Sequence, residues 1–380
     1  MADYAIDAKK KIQGRTSYFF HNVKSLFVHT FEVTYELPKK KSKVIQEDLR
    51  KDKSCWKAED NGMLYFGLSN KGILIRTFLI NKKNYHTYQV QYIISAERVM
   101  NNDNYVRLFN TRNYSDLFDK VNALLKAKSE ALPKVNKCKL SRLDFCVNAV
   151  LDNQSQVKAY INTMSRGKAP RNMKRFEVYD IFSKRVKPTK DDMTVHSKKS
   201  FDNVEISIYN KYAQMMKEKE NTYSNENLEE AKNIVRIEIR CKKEKIKELK
   251  KKYKLDSLSA FFKRANKIGS ELFNYYLPQI ASDATIRTLK DAEERITKSE
   301  YSKDTKMLLW DFVKIANTVR SVSKTIEIFN ECHSKKEINE MLIRLNDIDV
   351  NPITVTKEDL KKFDCGYIPS LIELYKEFSK

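Results

Sequence analysis

Three stretches of the chain set an acidic residue or a tyrosine among apolar residues. Asp144 lies between Leu143 and Phe145, while Tyr209 and Glu238 occupy segments that alternate apolar and polar positions. A carboxylate in an apolar strand is costly unless it is paired, hydrogen-bonded or bound to a cation. These residues are therefore the first candidates for chemistry, as ligands of a cation or as partners of arginines.

Common motifs for other kinds of site are missing. The sequence has no GxxxxGKS/T phosphate loop, no GxSxG and no HExxH. Its five histidines are scattered, and its six cysteines are far apart without a CxxC pair. Zinc sites need clustered thiolates or imidazoles, so we expect none. Any metal site should be built largely from carboxylates, which suits Mg²⁺ or Mn²⁺.

Strands must position the candidate residues. Alternation with period two predicts strands at LSRLDFCVNAVL (from Leu140), VEISIYN (from Val204) and NIVRIEIRC (ending at Cys241). The same pattern predicts four earlier strands, at SLFVHTFEVTYEL, MLYFGLSN, GILIRTFLIN and YHTYQVQYIIS, with a lysine-rich turn from Pro38 to Lys43. Helices are predicted from Ser115 to near Pro133 and from Ser155 to Met164. We expect a mainly antiparallel sheet with covering helices.

The apolar spacing becomes helical from about Leu255 onward. A seam with spacings of four and three predicts one long helix, a second helix is predicted from Lys335 to Leu345, and Thr356 resembles the start of a capping box. The seam residues are Leu308, Phe312, Ile315, Val319, Val322, Ile326 and Phe329. The predicted fold is α+β, with a core at residues 1–255 and an all-helical domain at residues 256–380.

The charge of the chain favours a polyanionic partner. Lys and Arg number 73 against 50 Asp and Glu, a net charge of +23, and nucleic acid is the commonest partner for such a field. A soluble protein that simply uses lysine heavily is the alternative. Residues 1–16 read as a loose leader, and no run of about 18 apolar residues suggests a membrane span. We expect a soluble cytoplasmic protein, with cysteines kept reduced.

Two basic segments are candidates for holding a phosphate backbone. Residues 166–200 are predicted to form a long basic loop, which includes Arg171 and Arg175. A lysine-rich helix is predicted over residues 242–254, with Lys242, Lys243 and Lys250 among its charges. For both segments the alternative is a solvated surface without a ligand.

The three candidate strands together resemble a known family. RLDFCVN from Arg142, ISIYNK from Ile206 and VRIEIR from Val235 are similar to motifs of phage and plasmid rolling-circle replication initiators. Both the filamentous-phage replication endonucleases and the plasmid replication-initiation factors have such motifs in this order. The resemblance covers roughly the middle third of the chain. It implies a site-specific enzyme that nicks and religates single-stranded DNA or an origin hairpin through a 5′-phosphotyrosine link.

The resemblance also implies roles for individual residues. Tyr209 would be the nucleophile, and Lys211 would assist its ionisation, because residues two apart on a strand point to the same side. Asp144 and Glu238 would bind the Mg²⁺ or Mn²⁺ ion, with Glu205 as a third ligand.

Some features of the sequence leave alternatives open. The family often has a second acidic residue where this chain has Asn148, and Tyr212 is a rival nucleophile. Arg142, Arg236 and Arg240 would pair with the carboxylates or bind phosphate. The helical region would recognise the origin, dimerise or contact a host helicase. A non-catalytic DNA-binding protein and an RNA-binding protein are the other readings of the same charges.

Overall fold

The computed structural model describes residues 27–53, 55–60, 63–68, 72–82, 85–101, 106–175, 178–180, 185–187, 192–197, 203–217, 223–363 and 366–378. The leader predicted at residues 1–16 lies outside these ranges. The strands are β1 (Phe27–Leu37), β2 (Cys55–Asp60), β3 (Met63–Leu68), β4 (Ile73–Lys82), β5 (Tyr85–Ser95), β6 (Phe109–Asn110), β7 (Lys139–Val150), β8 (Met173–Arg175), β9 (Val178–Asp180), β10 (Arg185–Lys187), β11 (Asp192–Ser197), β12 (Val204–Asn210) and β13 (Ile234–Cys241).

The helices alternate with these strands at first and then fill the C-terminal third of the chain. They are α1 (Lys39–Lys51), α2 (Ala96–Met100), α3 (Tyr114–Lys126), α4 (Gln154–Met164), α5 (Lys211–Lys217), α6 (Asn225–Ala231), α7 (Lys243–Tyr253), α8 (Leu258–Ile280), α9 (Leu289–Lys298), α10 (Lys303–Val319), α11 (Val322–Phe329), α12 (Lys335–Asp347), α13 (Lys357–Lys361) and α14 (Leu371–Phe378).

Eleven of the described strands form one sheet, in which the pairings are antiparallel. Its order is β2-β3-β4-β5-β1-β7-β13-β12-β11-β8, and the short β6 also pairs with β1. The strands that carry the candidate residues, β7, β13 and β12, are neighbours near the middle of the sheet. Because side chains alternate across a strand, this order can gather distant residues on one face.

One face of strands β7, β13 and β12 is apolar and lies in the hydrophobic core. Ile206 and Ile208 of β12 and Ile237 and Ile239 of β13 are buried. Phe262 of α8 packs in the same core. The apolar face of these strands and helix α8 therefore belong to one core.

Helix α8 links the helical region to the sheet. Its N-terminus is capped by Ser257, whose hydroxyl accepts a hydrogen bond from the Ala260 amide at 3.1 Å. The ring of Phe262 lies edge-on to Phe31 of β1 and to Phe118 of α3, with centroid separations of 5.2 Å to each. Such edge-to-face packing adds to the stabilisation from burial.

The segment after Pro38 is a helix rather than the predicted turn. Pro38 is the N-cap of α1, where its missing N–H removes no intrahelical hydrogen bond. Ile45 and Leu49, four residues apart, are fully buried, and the lysines take the exposed side. The density of lysines made this helix look like a polar turn in the sequence.

The long loop predicted at residues 166–200 is also corrected. This segment contains β8 and β11, which extend the main sheet beyond β12, and the small β9–β10 ladder. These strands are short, and β11 gains its stability from pairing with β12 along five positions. Local sequence carries little of that information, because the pairing partner lies further along the chain.

The predicted long helix of the apolar seam is divided into α10 and α11. Arg320 adopts a left-handed conformation, with a φ of 52°, and ends α10. Ser321 then caps α11 by accepting a hydrogen bond from the Lys324 amide at 3.3 Å. The apolar spacing continues across the break because both helices pack Phe312 and Phe329 together, with ring centroids 4.9 Å apart.

Most of the remaining predicted strands and helices agree with the structure. The seven predicted strands are all present, α4 begins one residue before its predicted start, α12 is present, and Thr356 caps α13. Helix α3 spans Tyr114–Lys126, so it ends before the predicted limit near Pro133. The α+β class, a sheet core followed by a helical region, is confirmed. Among the described residues no helix combines the length and apolar character needed to cross a membrane. The boundary near residue 255 stays a prediction.

Candidate active site on one face of the sheet

Strand register brings the candidate residues onto one face. Glu205 and Tyr209 of β12 pair with Arg240 and Arg236 of β13, and Arg240 in turn pairs with Asp144 of β7. Residues two positions along each strand share this face. We call it the polar face, and its members are His29, Glu32, Arg142, Asp144, Cys146, Asn148, Glu205, Ser207, Tyr209, Arg236, Glu238 and Arg240.

Asp144 is at the centre of the polar face and is fully buried. Its carboxylate accepts hydrogen bonds from Arg142, with Nε at 2.8 Å and Nη2 also in contact, and from Arg240 Nε at 3.3 and 3.4 Å. Burial raises the pKa of Asp144, and the two guanidinium groups oppose that rise. Both arginines therefore compensate the buried carboxylate.

Two outer carboxylates extend this network. Glu32 of β1 accepts a hydrogen bond from Arg142 Nη1 at 2.7 Å. Glu205 accepts one from Arg240 Nη1 at 2.9 Å and pairs with Lys242 Nζ at 3.1 Å. Positive and negative groups thus alternate across four strands. Charge-assisted hydrogen bonds of this kind fix side-chain orientation as well as adding energy.

Tyr209 and Glu238 form a pair beside the arginines. The Tyr209 hydroxyl donates to Glu238 Oε2 at 3.2 Å, and Arg240 Nη2 donates to Glu238 Oε1 at 3.0 Å. Burial and the charge of Glu238 raise the pKa of Tyr209 well above its usual value. Burial would raise the pKa of Glu238 too, but Arg240, Arg142 and Arg236 lower it. The pair therefore consists of a neutral phenol and an ionised carboxylate.

Arg236 lies next to Tyr209 and is fully buried. Its Nε donates to Asn148 Oδ1 at 2.8 Å, its Nη2 donates to the Val106 carbonyl, and Asn148 Nδ2 donates to the same carbonyl at 2.9 Å. Asn148 thus orients Arg236. Among the described residues, Arg236 Nη1 has no hydrogen-bond acceptor. A buried donor without an acceptor calls for a physical explanation.

A second cluster on the polar face was not predicted from the sequence. A ring nitrogen of His29, Sγ of Cys146 and a carboxylate oxygen of Glu238 all lie within 4.8 Å of one another. Burial and the charges of Arg236 and Lys211 lower the pKa of His29, so its imidazole is neutral. Burial and Glu238 raise the pKa of the Cys146 thiol. The one signal in the sequence was alternation, which places Cys146 on the same face as Asp144.

The carboxylate set predicted for Mg²⁺ or Mn²⁺ does not assemble as a group. Asp144 is held by two arginines and Glu205 by Arg240 and Lys242. Glu238 also pairs with Arg240, but it lies in the cluster with His29 and Cys146. Mg²⁺ requires an octahedral shell of oxygen ligands. The residues that do come together offer nitrogen, sulfur and oxygen, so they do not fit a carboxylate cage.

The predicted helper Lys211 and the rival Tyr212 lie just beyond the end of β12. Lys211 is the first residue of α5, not a strand residue, and its buried Nζ donates to Gln214 at 2.7 Å. Tyr212 packs at the edge of a small apolar cluster with Met215 and Ile234. Of the two tyrosines, Tyr209 is therefore the one beside the charged network.

The basic residues predicted to bind DNA are distributed over several surfaces. Lys242 is paired with Glu205, while Lys243 and Lys250 are on α7. Ile246 and Leu249 of α7 are buried in the main core, so α7 covers the apolar face of the sheet, opposite Tyr209. Arg171 is exposed in the turn after α4, and Arg175 lies on the edge strand β8. Of the basic residues predicted to bind DNA, Arg142, Arg236 and Arg240 lie together on the polar face.

Comparisons with known proteins find similarity among solved structures. No known family model matches the chain, and no curated protein matches it in sequence. Among solved structures, a rolling-circle replication initiator protein from Geobacillus stearothermophilus is similar, with a TM-score of 0.33 and 11% sequence identity. The match covers 66% of this chain and 85% of that chain.

Proposed function

We propose that this chain is a DNA-nicking and religating enzyme of the rolling-circle initiator type, with Tyr209 as its nucleophile. The observation that carries the proposal is the grouping of three atoms. The Tyr209 hydroxyl is hydrogen-bonded to Glu238 at 3.2 Å and lies beside Arg236, whose Nη1 has no acceptor among the described residues. A nucleophile, a proton acceptor and a cationic donor are what phosphodiester transfer needs.

Tyr209 and Glu238 would carry out the strand transfer in one displacement at phosphorus. The Tyr209 oxygen attacks the scissile phosphorus while the phenol proton passes to Glu238 Oε2. The bond from phosphorus to the 3′ oxygen breaks, and that oxygen takes a proton from water to become a free 3′-hydroxyl. The products are a 5′-phosphotyrosine and a primer end, and the reverse reaction religates the strand. The phenol needs this base because the pKa of Tyr209 is raised.

The cations would hold the phosphate that reacts. Arg236 Nη1 would donate to a non-bridging oxygen, where charge develops in the transition state. Arg142 and Arg240 would keep Asp144 and Glu238 in place. A divalent ion, when bound, would polarise the same phosphate. The net charge of +23 would attract the DNA, and the helical region would recognise the origin, dimerise or contact a helicase.

The test compares wild type with Tyr209→Phe and Tyr212→Phe on supercoiled DNA that carries the protein's own replicon, with Mn²⁺ present. Tyr209→Phe removes one hydrogen bond, worth about 1 kcal/mol, so the variant should fold. We expect nicked circles and a covalent protein–DNA adduct with wild type and Tyr212→Phe, and neither with Tyr209→Phe. An adduct that persists in Tyr209→Phe excludes this residue as nucleophile. No adduct with any of the three proteins refutes the proposal.

A non-catalytic DNA-binding protein is the second candidate, and a specific observation favours it. Asp144, Glu205 and Glu32 are each paired with an arginine or lysine, as a purely structural network requires. Under this reading the protein would shift DNA at low salt without forming an adduct. Tyr209→Phe and wild type would then bind DNA equally.

A further inference from the structure

The cluster of His29, Cys146 and Glu238 is built by three adjacent strands. Glu238 of β13 lies directly opposite Cys146 of β7, and β1 flanks β7 on its other side. The register of β1 is irregular between Val28 and Phe31, at the position of His29. Three rigid strands therefore present one nitrogen, one sulfur and one oxygen to the same point, with all three atoms within 4.8 Å of one another.

The spacing of these atoms suits a tetrahedral ion. Ligand atoms bound about 2.0–2.3 Å from Zn²⁺ lie roughly 3.3–3.8 Å apart at tetrahedral angles. The observed limit of 4.8 Å exceeds this spacing by an amount that side-chain rotation can close. Cys146 is fully buried, Glu238 is 4% exposed and His29 is half-buried, so an ion here would be partly shielded from solvent.

The chemistry of the donors selects the class of metal. Thiolate and imidazole favour zinc and similar transition metals, whereas Mg²⁺ prefers oxygen ligands. Arginine competes with a metal for carboxylates. Asp144 accepts four hydrogen bonds from Arg142 and Arg240, whereas Glu238 accepts one from Arg240 and one from Tyr209 and so keeps a lone pair on each oxygen. Arginine cannot pair with a thiolate in the same bidentate way or with a neutral imidazole, so these two donors stay available to a metal.

We propose that His29, Cys146 and Glu238 form a three-ligand site for a thiophilic divalent ion, such as Zn²⁺, with its open position beside Tyr209. The Tyr209 hydroxyl is 3.2 Å from a Glu238 oxygen, which places the tyrosine next to the site. Three protein ligands with one open position are typical of catalytic rather than structural zinc. The proposal deepens the proposed function and rests on it for its role, but the metal binding can be measured without DNA.

The test uses cobalt as a spectroscopic substitute for zinc. The intact chain carrying Cys332→Ser, which removes an exposed thiol next to His333, is stripped of metal with a chelator and titrated with Co²⁺. We expect a sulfur-to-cobalt charge-transfer band and intense visible bands of a tetrahedral site. One equivalent of Zn²⁺ should abolish these bands, and a large excess of Mg²⁺ should not.

Matched variants assign the ligands. Cys146→Ser should remove the charge-transfer band, and His29→Gln should weaken Co²⁺ binding at least tenfold, as loss of a ligand does. Cys241→Ser is the control, because Cys241 is equally buried but points to the opposite face of β13. Circular dichroism confirms that each variant is folded. Cys146→Ala replaces Cys146→Ser if the serine variant does not fold.

Three outcomes would overturn the proposal: no charge-transfer band in the folded parent, a band that survives in Cys146→Ser, or loss of the band in Cys241→Ser. The result is separable from the nicking assay. A cobalt site of the expected kind in a protein that forms no DNA adduct would uphold the metal site and refute the proposed function. A protein that forms the DNA adduct but shows no sulfur-to-cobalt band would uphold the proposed function and refute the metal site.

Discussion

Replacing Phe262 with alanine tests whether the helical region and the sheet share one core. Phe262 is 1% exposed, and its ring contacts Phe31, Phe118 and Tyr114 with centroid separations of 5.2, 5.2 and 6.3 Å. A buried Phe→Ala change costs about 3–5 kcal/mol through lost burial and the cavity that remains. Aromatic pairs add about 0.5–1.5 kcal/mol each beyond burial, which puts this site in the upper part of that range.

We expect Phe262→Ala to lower the free energy of unfolding by about 4–5 kcal/mol. With a urea slope of about 2–3 kcal/mol per M, the midpoint would fall by roughly 1.3–2.5 M. Phe262→Leu should cost only about 1.5 kcal/mol and serves if the alanine variant is too unstable to purify. Tyr275→Ala, on the same helix but 59% exposed, is the control and should change the midpoint little.

Two probes follow the unfolding. Far-ultraviolet circular dichroism reports on the whole chain, and Trp310 fluorescence in a Trp56→Phe background reports on α10 in the helical region. A shared core requires both transitions to move together in Phe262→Ala. If the loss is below about 1 kcal/mol, or if the Trp310 transition keeps its wild-type midpoint, the packing argument is wrong. A separate transition would instead support the predicted boundary near residue 255.

Four further outcomes are expected. Burial raises the pKa of Glu97, so ionisation of this carboxyl destabilises the fold as pH rises from the ordinary carboxyl range to the raised pKa. Thermal melts should therefore show Glu97→Gln to be more stable than wild type at neutral pH. In acid, where Glu97 is protonated in both states, this difference should vanish. Gly167→Ala should cost about 1–3 kcal/mol in urea unfolding, because the added Cβ would lie 2.4 Å from the Ile280 carbonyl oxygen. Arg320→Gly should stabilise by up to about 1 kcal/mol in the same assay, since φ is 52° there. Fluorescence anisotropy with a single-stranded oligonucleotide should show log affinity falling linearly with log salt concentration, and a flat response would exclude phosphate contacts as the source of binding.

The strands of the site could be predicted from the sequence because their two faces differ. Ile206 and Ile208 alternate with Glu205 and Tyr209, and a half-buried strand needs that alternation. The face shared by Asp144, Tyr209 and Glu238 followed from the same period once the strands were neighbours. The order of the strands in the sheet could not be read from local pattern, because pairing is a property of distant segments.

Elements without a strong period were missed. Helix α1 was hidden by its lysines, because only Ile45 and Leu49 show its buried face strongly. The break at Arg320 was hidden for the opposite reason, since the apolar spacing runs across it without interruption. A left-handed residue that is not glycine leaves no reliable signal in the sequence.

The ion pairs on the polar face limit which side chains can bind a metal ion. Asp144 is the most buried carboxylate on the polar face and therefore the most obvious metal ligand by sequence, yet its burial is also why two arginines must hold it. A cation that displaced either arginine would leave a positive charge without its partner in a poorly solvated place. His29 and Cys146 are not held in this way, because a neutral imidazole or thiol does not form an ion pair with a guanidinium group. The arginines that compensate Asp144 thus leave His29, Cys146 and Glu238, which accepts only one hydrogen bond from Arg240, as the donors for a metal.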